Sequence, residues 1–432
     1  AVASATGTNQ VAFTGRAGNV LLKLAGDGVT ATAGTAVNLV VSLNGDGAGP
    51  VPGARVHWTV LTGGGSVTPA TSITERQFGP TIGQASAQWT LGAAAGPQTL
   101  RASVGPLQQT FTVNVIGLGT RTLVAQVPGR ALDVSADRVL WVDSAGGTRV
   151  IKVRSRATGV DQAVKVDSQA NVVPFTAGWL FPGGALVSGG APARWVEWRS
   201  GALTELGSDV EQMSVHGSWA AWRTGSQVLR RNLATGVTDV VASSSAADVD
   251  AAPNGDVVYV SGGGVFLYDG TTTPVSTETP GAGYTPQRAA TDGTNVVYRL
   301  FSFLGSSAIL YLDQPGGDLL LAGATETHGG FLQFLLEGGW IAYRGSTVTA
   351  VGNVWRRSPA GVVEHLTTTG LLRGLAPDGT VVYELTPTQR YRLVAPGGTQ
   401  VDVGIAASTD LVVARDGELY LLSGGSVFEL GP

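Results

Sequence analysis

The chain of 432 residues has no cysteine, which excludes disulfides and thiol chemistry but does not indicate a compartment. Charge is sparse, with 13% of residues Asp, Glu, Lys or Arg. There is no basic block, and the net charge is −4, so nucleic acid is not an expected partner. No apolar run approaches the roughly 18 residues that a membrane span needs, and no transmembrane segment is expected. Lysine is confined to Lys23, Lys152 and Lys165, a bias we read as genome composition. Helical periodicity is missing as well. Glycine is abundant, at 63 residues, and sits between short Val, Thr, Leu and aromatic runs. That pattern predicts an all-β protein, long enough for two or more domains.

The first residues, AVASATG, carry neither Met nor a signal peptide. The reading is an exported chain, processed before residue 1, working in the periplasm or at the cell surface of a bacterium. Residues 1–19 are small and polar and are read as a tether. From Val20 onward the runs NVLLKL, AVNLVVSL, ARVHWTVLTGGGSVTP, GQASAQWTLG and QTLRASV are strands at β-sandwich spacing. The glycines of TGGGSV invite a phosphate-loop reading, but such a loop needs a helix start after them. Here Ser66-Val67-Thr68 leads into Pro69, and the stretch is read as a turn. Residues 20–116 resemble bacterial Ig-like (Big) domains of the invasin and intimin type, on VHWTVLTGGGSVTPATS, GQASAQWTLG, AGPQTLRASV and the closing FTVNV. The resemblance implies an Ig-like β-sandwich serving as an exported spacer or adhesive module, with Trp58 between its sheets.

The remainder is periodic. A turn followed by an apolar strand ends in an aromatic at Trp141, Phe181, Trp222, Tyr259, Tyr298, Tyr343, Tyr383 and Tyr420, with 37 to 45 residues between successive copies. A second turn, such as RATGV, LATGV and APGGT, recurs in phase. Eight copies predict an eight-bladed β-propeller over 117–432, four strands to a blade, with seven blades as the alternative count. The last copy lacks its outer strand. Thr120 to Val127 stands unpaired before the first copy and is expected to close the ring beside Ser426 to Leu430. In LAPDGTVVYEL, Pro377-Asp378-Gly379 is then an A–B hairpin turn: Gly supplies φ > 0 and Asp bonds the local backbone. This element resembles the TolB-type propeller repeat, which implies the fold and no activity.

The search for chemistry yields little. His57, His216, His328 and His365 show no metal spacing, Gly-x-Ser-x-Gly is missing, and no motif for a cofactor is found. Asp248 to Asp256, DVDAAPNGD, lacks the ligand rhythm of a calcium loop and its closing Glu, and is read as turn chemistry. Catalytic, cofactor and metal residues are therefore expected to be none. Arg223, Arg299 and Arg344 each follow the strand-B aromatic. They could form an anion-binding ring, or pair with Asp and Glu between blades.

Loop length points to a surface. The A–B and C–D turns of one rim are short. The B–C and D–A loops of the other are irregular: GGALVSGGAPAR in blade 2, LFSFLGSSA in blade 5, GSTVTAVGN in blade 6. A contact for another protein is expected on that irregular rim, anchored by Phe301, Phe303 and Leu304, with Tyr284 and His328 in flanking loops. The function expected is a non-catalytic exported scaffold or accessory subunit that binds another protein, within a cell-envelope or membrane-associated complex. The alternatives are a glycan-binding or polysaccharide-degrading surface protein, and an adhesin or filament subunit.

Overall fold

The computed structural model describes residues 19–431, apart from 46–48, 78, 145–148, 168–176, 190–193, 208, 276–282, 303–306, 315–316, 323–330, 347–351, 387 and 407–409. All regular elements among them are strands, and there is no helix long and apolar enough to cross a membrane. Nearly all of the tether expected at 1–19 lies outside the described residues. The chain divides into two compact units, one essentially of the residues up to Leu118 and one of nearly all those from Gly119 onward.

The first unit is a β-sandwich. One sheet orders Val20–Ala25, Ala36–Gly45, Gln84–Leu91 and Gly65–Thr68, with Gly49–Pro50 on Ala36–Gly45. The other orders Thr71–Ile73, Arg55–Thr62, Gly96–Val104 and Leu107–Leu118, with Thr30–Thr32 parallel to the last. The alternation that marks a half-buried strand is clearest in Gln84–Leu91, where Ala85, Ala87, Trp89 and Leu91 point inward and Ser86, Gln88 and Thr90 outward. Trp58 is buried among Trp89, Phe111, Leu39 and Leu100, and its indole N–H donates to Ser72 Oγ at 2.8 Å.

The second unit is a propeller of eight four-stranded blades. Blade 1 runs through Arg130–Val134, Arg138–Asp143, Arg149–Ser155 and Asp161–Asp167, as strands A to D. Blades 6 and 7 share the long strand Val363–Leu375, which is D of one and A of the next. Thr120–Gln126 pairs antiparallel with Ser426–Gly431, Leu123 opposite Phe428, and supplies the fourth strand of blade 8. Strand B is buried along most of its length in many blades, as in Val257–Ser261 and Arg138–Asp143. Neighbouring blades cover both its faces, so it reads as an apolar run rather than as alternation.

The recurring strand-B aromatic has a partner in strand C. Tyr259 stacks on Phe266, Tyr298 on Tyr311 and Tyr343 on Trp355, at ring centroids of 5.3, 5.5 and 5.5 Å, each pair directly opposed across the ladder. Blade 2 departs from the expected alignment. AGWLF is its strand A, Ala177–Phe181, and strand B is Gly184–Gly189. Val187 stands four residues after the Gly183 turn, where other blades carry the aromatic. Most of GGALVSGGAPAR is thus strand, not loop.

The A–B turns are also joints between blades. In Pro377-Asp378-Gly379 the Asp378 carboxylate accepts from Thr380 N–H at 2.8 Å, and Gly379 has φ +88°. A Cβ on Gly379 would fall inside the Trp340 indole of blade 6. Arg356 lies over that indole at 5.5 Å and donates to Gly379 O at 2.8 Å. Blades 3 and 4 repeat the device with Trp219, Gly255 and Arg230, at 5.0 Å and 2.7 Å.

Two outcomes follow. Deleting residues 120–127 should expose an edge of blade 8 and lower the thermal midpoint of the whole ring; an unchanged midpoint would refute closure by this strand. Gly379→Ala should cost about 2 kcal/mol or more, from left-handed backbone and overpacking together. Gly417→Ala, at φ +87° but facing open space, should cost less, and denaturant unfolding of both variants isolates the indole contact.

Candidate functional site

Strand A of every blade but the seventh, whose strand A is the shared Val363–Leu375, is paired on one side only, with strand B; its other edge turns toward the ring axis. Carboxylates of the preceding blade cap several of those edge amides. Asp133 accepts from Leu180 N–H at 2.6 Å, Asp248 from Ala289 N–H at 2.9 Å, and Asp250 from Thr291 N–H at 3.0 Å. Burial pushes all three carboxyls above the usual range, against the pull of these donors and of Arg415, Gln212 and His216. Asp248 and Asp250 of DVDAAPNGD are therefore acceptors for their own chain, with Gln212 and Ser214 as further donors at 2.6 and 2.5 Å.

At the end of the axis where the A–B turns converge lies a mouth of about 790 Å³. Four blades close their A–B hairpin with two residues, and the residue just before the turn is then Phe181, His216, Glu337 or Arg415. All four line the mouth, with Trp179, Val215, Asp137, Arg138, Asp416 and prolines 182, 253 and 377. The turns Gly338-Gly339 and Asp416-Gly417 have φ > 0 at both positions, the I′ geometry that suits the twist of the flanking strands.

The four side chains divide the wall by chemistry. Phe181 is buried and Trp179 half-buried, its ring 4.9 Å from Trp195. Arg138 donates to Phe181 O at 2.8 Å. Arg415 lies 3.0 Å from the buried Asp133 carboxylate. His216 and Glu337, three blades apart, meet across the axis with Nε2 to Oε2 at 2.8 Å, while His216 Nδ1 is 3.1 Å from Ala251 O. Burial alone would lower the imidazole pKa. The hydrogen bond and charge of Glu337, with Asp250 and the Ala251 carbonyl, outweigh it and hold His216 above its usual value. Both ring nitrogens have protein partners, and Ser214 donates to Asp250 rather than to His216, so the group is not arranged as a nucleophile and its base.

The residues singled out in the sequence lie elsewhere. Phe301 is on strand B, Val296–Ser302, half-buried and packed on the core between blades 5 and 6. It is a packing residue because the strand continues through what reads as a loop. Tyr284 opens strand A of blade 5, and its hydroxyl is 2.7 Å from Ser307 Oγ. Phe303, Leu304 and His328 lie outside the described residues. Arg223 pairs with Glu211 and donates to Gln212 Oε1 at 3.1 Å and Ala246 O at 2.8 Å. Arg299 bonds Gln287 Oε1 at 3.3 Å, and Arg344 is buried. Burial, together with Arg288 beside Arg299 and Arg373 beside Arg344, lowers both guanidinium pKa values. His57 faces Thr71, and His365 faces Asn353 and Trp355. A signal for His216 and Glu337 was present: VHGSW and LEGGW are the same repeat position, each the residue before its turn.

No family model and no curated protein matches the chain. Solved structures are similar to it at low identity. PorZ, an essential bacterial surface component of the type-IX secretion system of Porphyromonas gingivalis, is 12% identical, with 70% of this chain and 42% of that one covered and a TM-score of 0.40. Virginiamycin B lyase of Staphylococcus aureus is 11% identical, covering 62% and 97%, TM-score 0.40. Dipeptidyl peptidase 4 of Porphyromonas gingivalis is 12% identical, covering 72% and 58%, TM-score 0.47. The chain thus spans under half of PorZ.

The raised pKa of His216 has a sign. Its stabilisation is full below about pH 6.5 and is lost as pH rises through the raised folded value. The imidazole resonance should titrate above about 6.5 in the wild type and lower in Glu337→Gln, and the thermal midpoint should fall less between pH 6 and 8 in that variant. Identical titrations would show that the pair does not form.

Proposed function

We propose that this protein is a non-catalytic exported scaffold or accessory subunit of the bacterial envelope, which binds a segment of another protein in the mouth on the A–B rim. The Ig-like unit, read as a bacterial Ig-like module, serves as its spacer. The observation that carries the reading is the mouth itself. It combines a volume typical of ligand sites with an aromatic wall at Trp179 and Phe181, and it stands on hairpins that the ring holds rigid. Short turns over a stiff ring make a preorganised receptor, which loses little entropy on binding. The histidine in the mouth bridges two blades and activates no nucleophile, which favours binding over turnover.

Tagged protein should capture a partner from the native envelope, identified by mass spectrometry. Trp179→Ala should weaken that capture by about tenfold or more, as truncating an aromatic anchor costs about 2 kcal/mol, with the fold retained by circular dichroism. Capture unaffected by Trp179→Ala, or turnover of a glycan, ester or peptide that is lost in Glu337→Gln, would sink the proposal.

A further inference from the structure

The charges around the mouth differ in what they leave available. The guanidiniums are held by their own chain: Arg138 on Phe181 O, Arg415 on Asp133, Arg156 on Ser135 O at 2.9 Å. Arg230 and Arg356 are likewise drawn to Gly255 O and Gly379 O. The lip carboxylates are more exposed, though also partnered: the Asp137 side chain is 73% exposed, lies 3.4 Å from Arg138 Nε and accepts from Ser135 Oγ at 2.7 Å. Asp416 is exposed and accepts from Ala136 N–H of blade 1 at 2.9 Å. Deeper in, Glu337 faces one imidazole, with Asp250 acting on the same ring. Glu337 is thus a cavity carboxylate whose described partner is a titratable imidazole, and Trp179, Phe181 and Val215 line the same cavity. A protein wall of low dielectric strengthens that field.

We propose that the mouth receives a lysine or arginine side chain carried on an exposed segment of the partner protein, its aliphatic stem along Trp179 and Val215 and its cationic head on Glu337. This rests on the protein-binding reading above. An apolar stem and a charged head suit such a wall and floor, and a ring face adds cation–π attraction. The incoming cation competes with protonated His216 for Glu337. Affinity should therefore rise with pH as His216 loses its proton. The other charged groups facing this pair are Asp250 from blade 4, Arg288 beside it from blade 5, the Arg415–Asp133 pair, and Asp137, Arg138 and Asp416 at the lip. None of these is an imidazole, so the dependence near neutrality belongs to His216.

The test uses the full chain and acetyl-capped, amidated pentapeptides with a central Arg, Lys, Glu or citrulline between alanines, followed by tryptophan fluorescence and calorimetry. The Arg and Lys peptides should bind at least tenfold more tightly than the Glu and citrulline peptides, and severalfold more tightly at pH 8 than at pH 6. Glu337→Gln should remove the preference for charge, and His216→Gln should remove the pH dependence. The citrulline comparison needs no variant and stands even if a variant misfolds. Equal binding of the Arg and citrulline peptides, tighter binding at pH 6, or no binding at millimolar peptide would overturn the inference. If the native partner is still captured in a Trp179-dependent manner in those cases, the protein-binding reading survives and only the cation is wrong.

Discussion

A blade that is apolar on both faces cannot be stable alone, and the rest of this propeller follows from that constraint. Four antiparallel strands such as those of blade 4 satisfy one another's backbone groups but leave Val257 to Val260 needing cover on two sides. Only a neighbour on each side supplies it, so the structure is complete only when the last blade meets the first. The strand Thr120–Gln126 achieves this by joining residues from the two ends of the propeller in one sheet. Hydrophobic burial drives the stacking; the polar joints then set its register.

Those joints sit mainly at the inner edges and the A–B turns. Asp133, Asp248 and Asp250 bind edge amides of the next blade, which leaves fewer buried donors unsatisfied at the axis. The Trp–Gly–Arg contacts at Gly255 and Gly379 hold adjacent turns together. The same turns rim the mouth, so one set of residues serves stability and presents a surface. The walls of the mouth are thus also joints of the fold.

The mouth is chemically uneven because the hairpins are uneven. Where the turn has two residues, the last residue of strand A reaches the lip, and there the chain has Phe181, His216, Glu337 and Arg415. Arg415 is neutralised by Asp133 below it. The His216–Glu337 pair spans the axis, and, against burial, the hydrogen bond and charge of Glu337 hold the imidazole above its usual pKa. Aromatic surface lies at Trp179 and Phe181, and the charged pair at His216 and Glu337.

Much of the fold was legible in the sequence. The repeat announces itself because the blades reuse a glycine turn and an apolar run, and most add a strand-B aromatic, which in three blades stacks on strand C. Two misreadings share a cause. Trp179 and Phe181 imitate the strand-B aromatic from strand A, and Phe301 looks exposed because strand B of blade 5 runs past its usual end. Local pattern cannot separate a strand from its neighbour when both are short, apolar and flanked by glycine. The all-β class, the two kinds of unit and the repeat were therefore set by local sequence, through turn chemistry and strand composition. The mouth was not: His216 and Glu337 are 121 residues apart, and the repeat position they share before the turn does not say that they meet. Only closure of the ring, driven by burial of both blade faces, brings their side chains to one point on the axis.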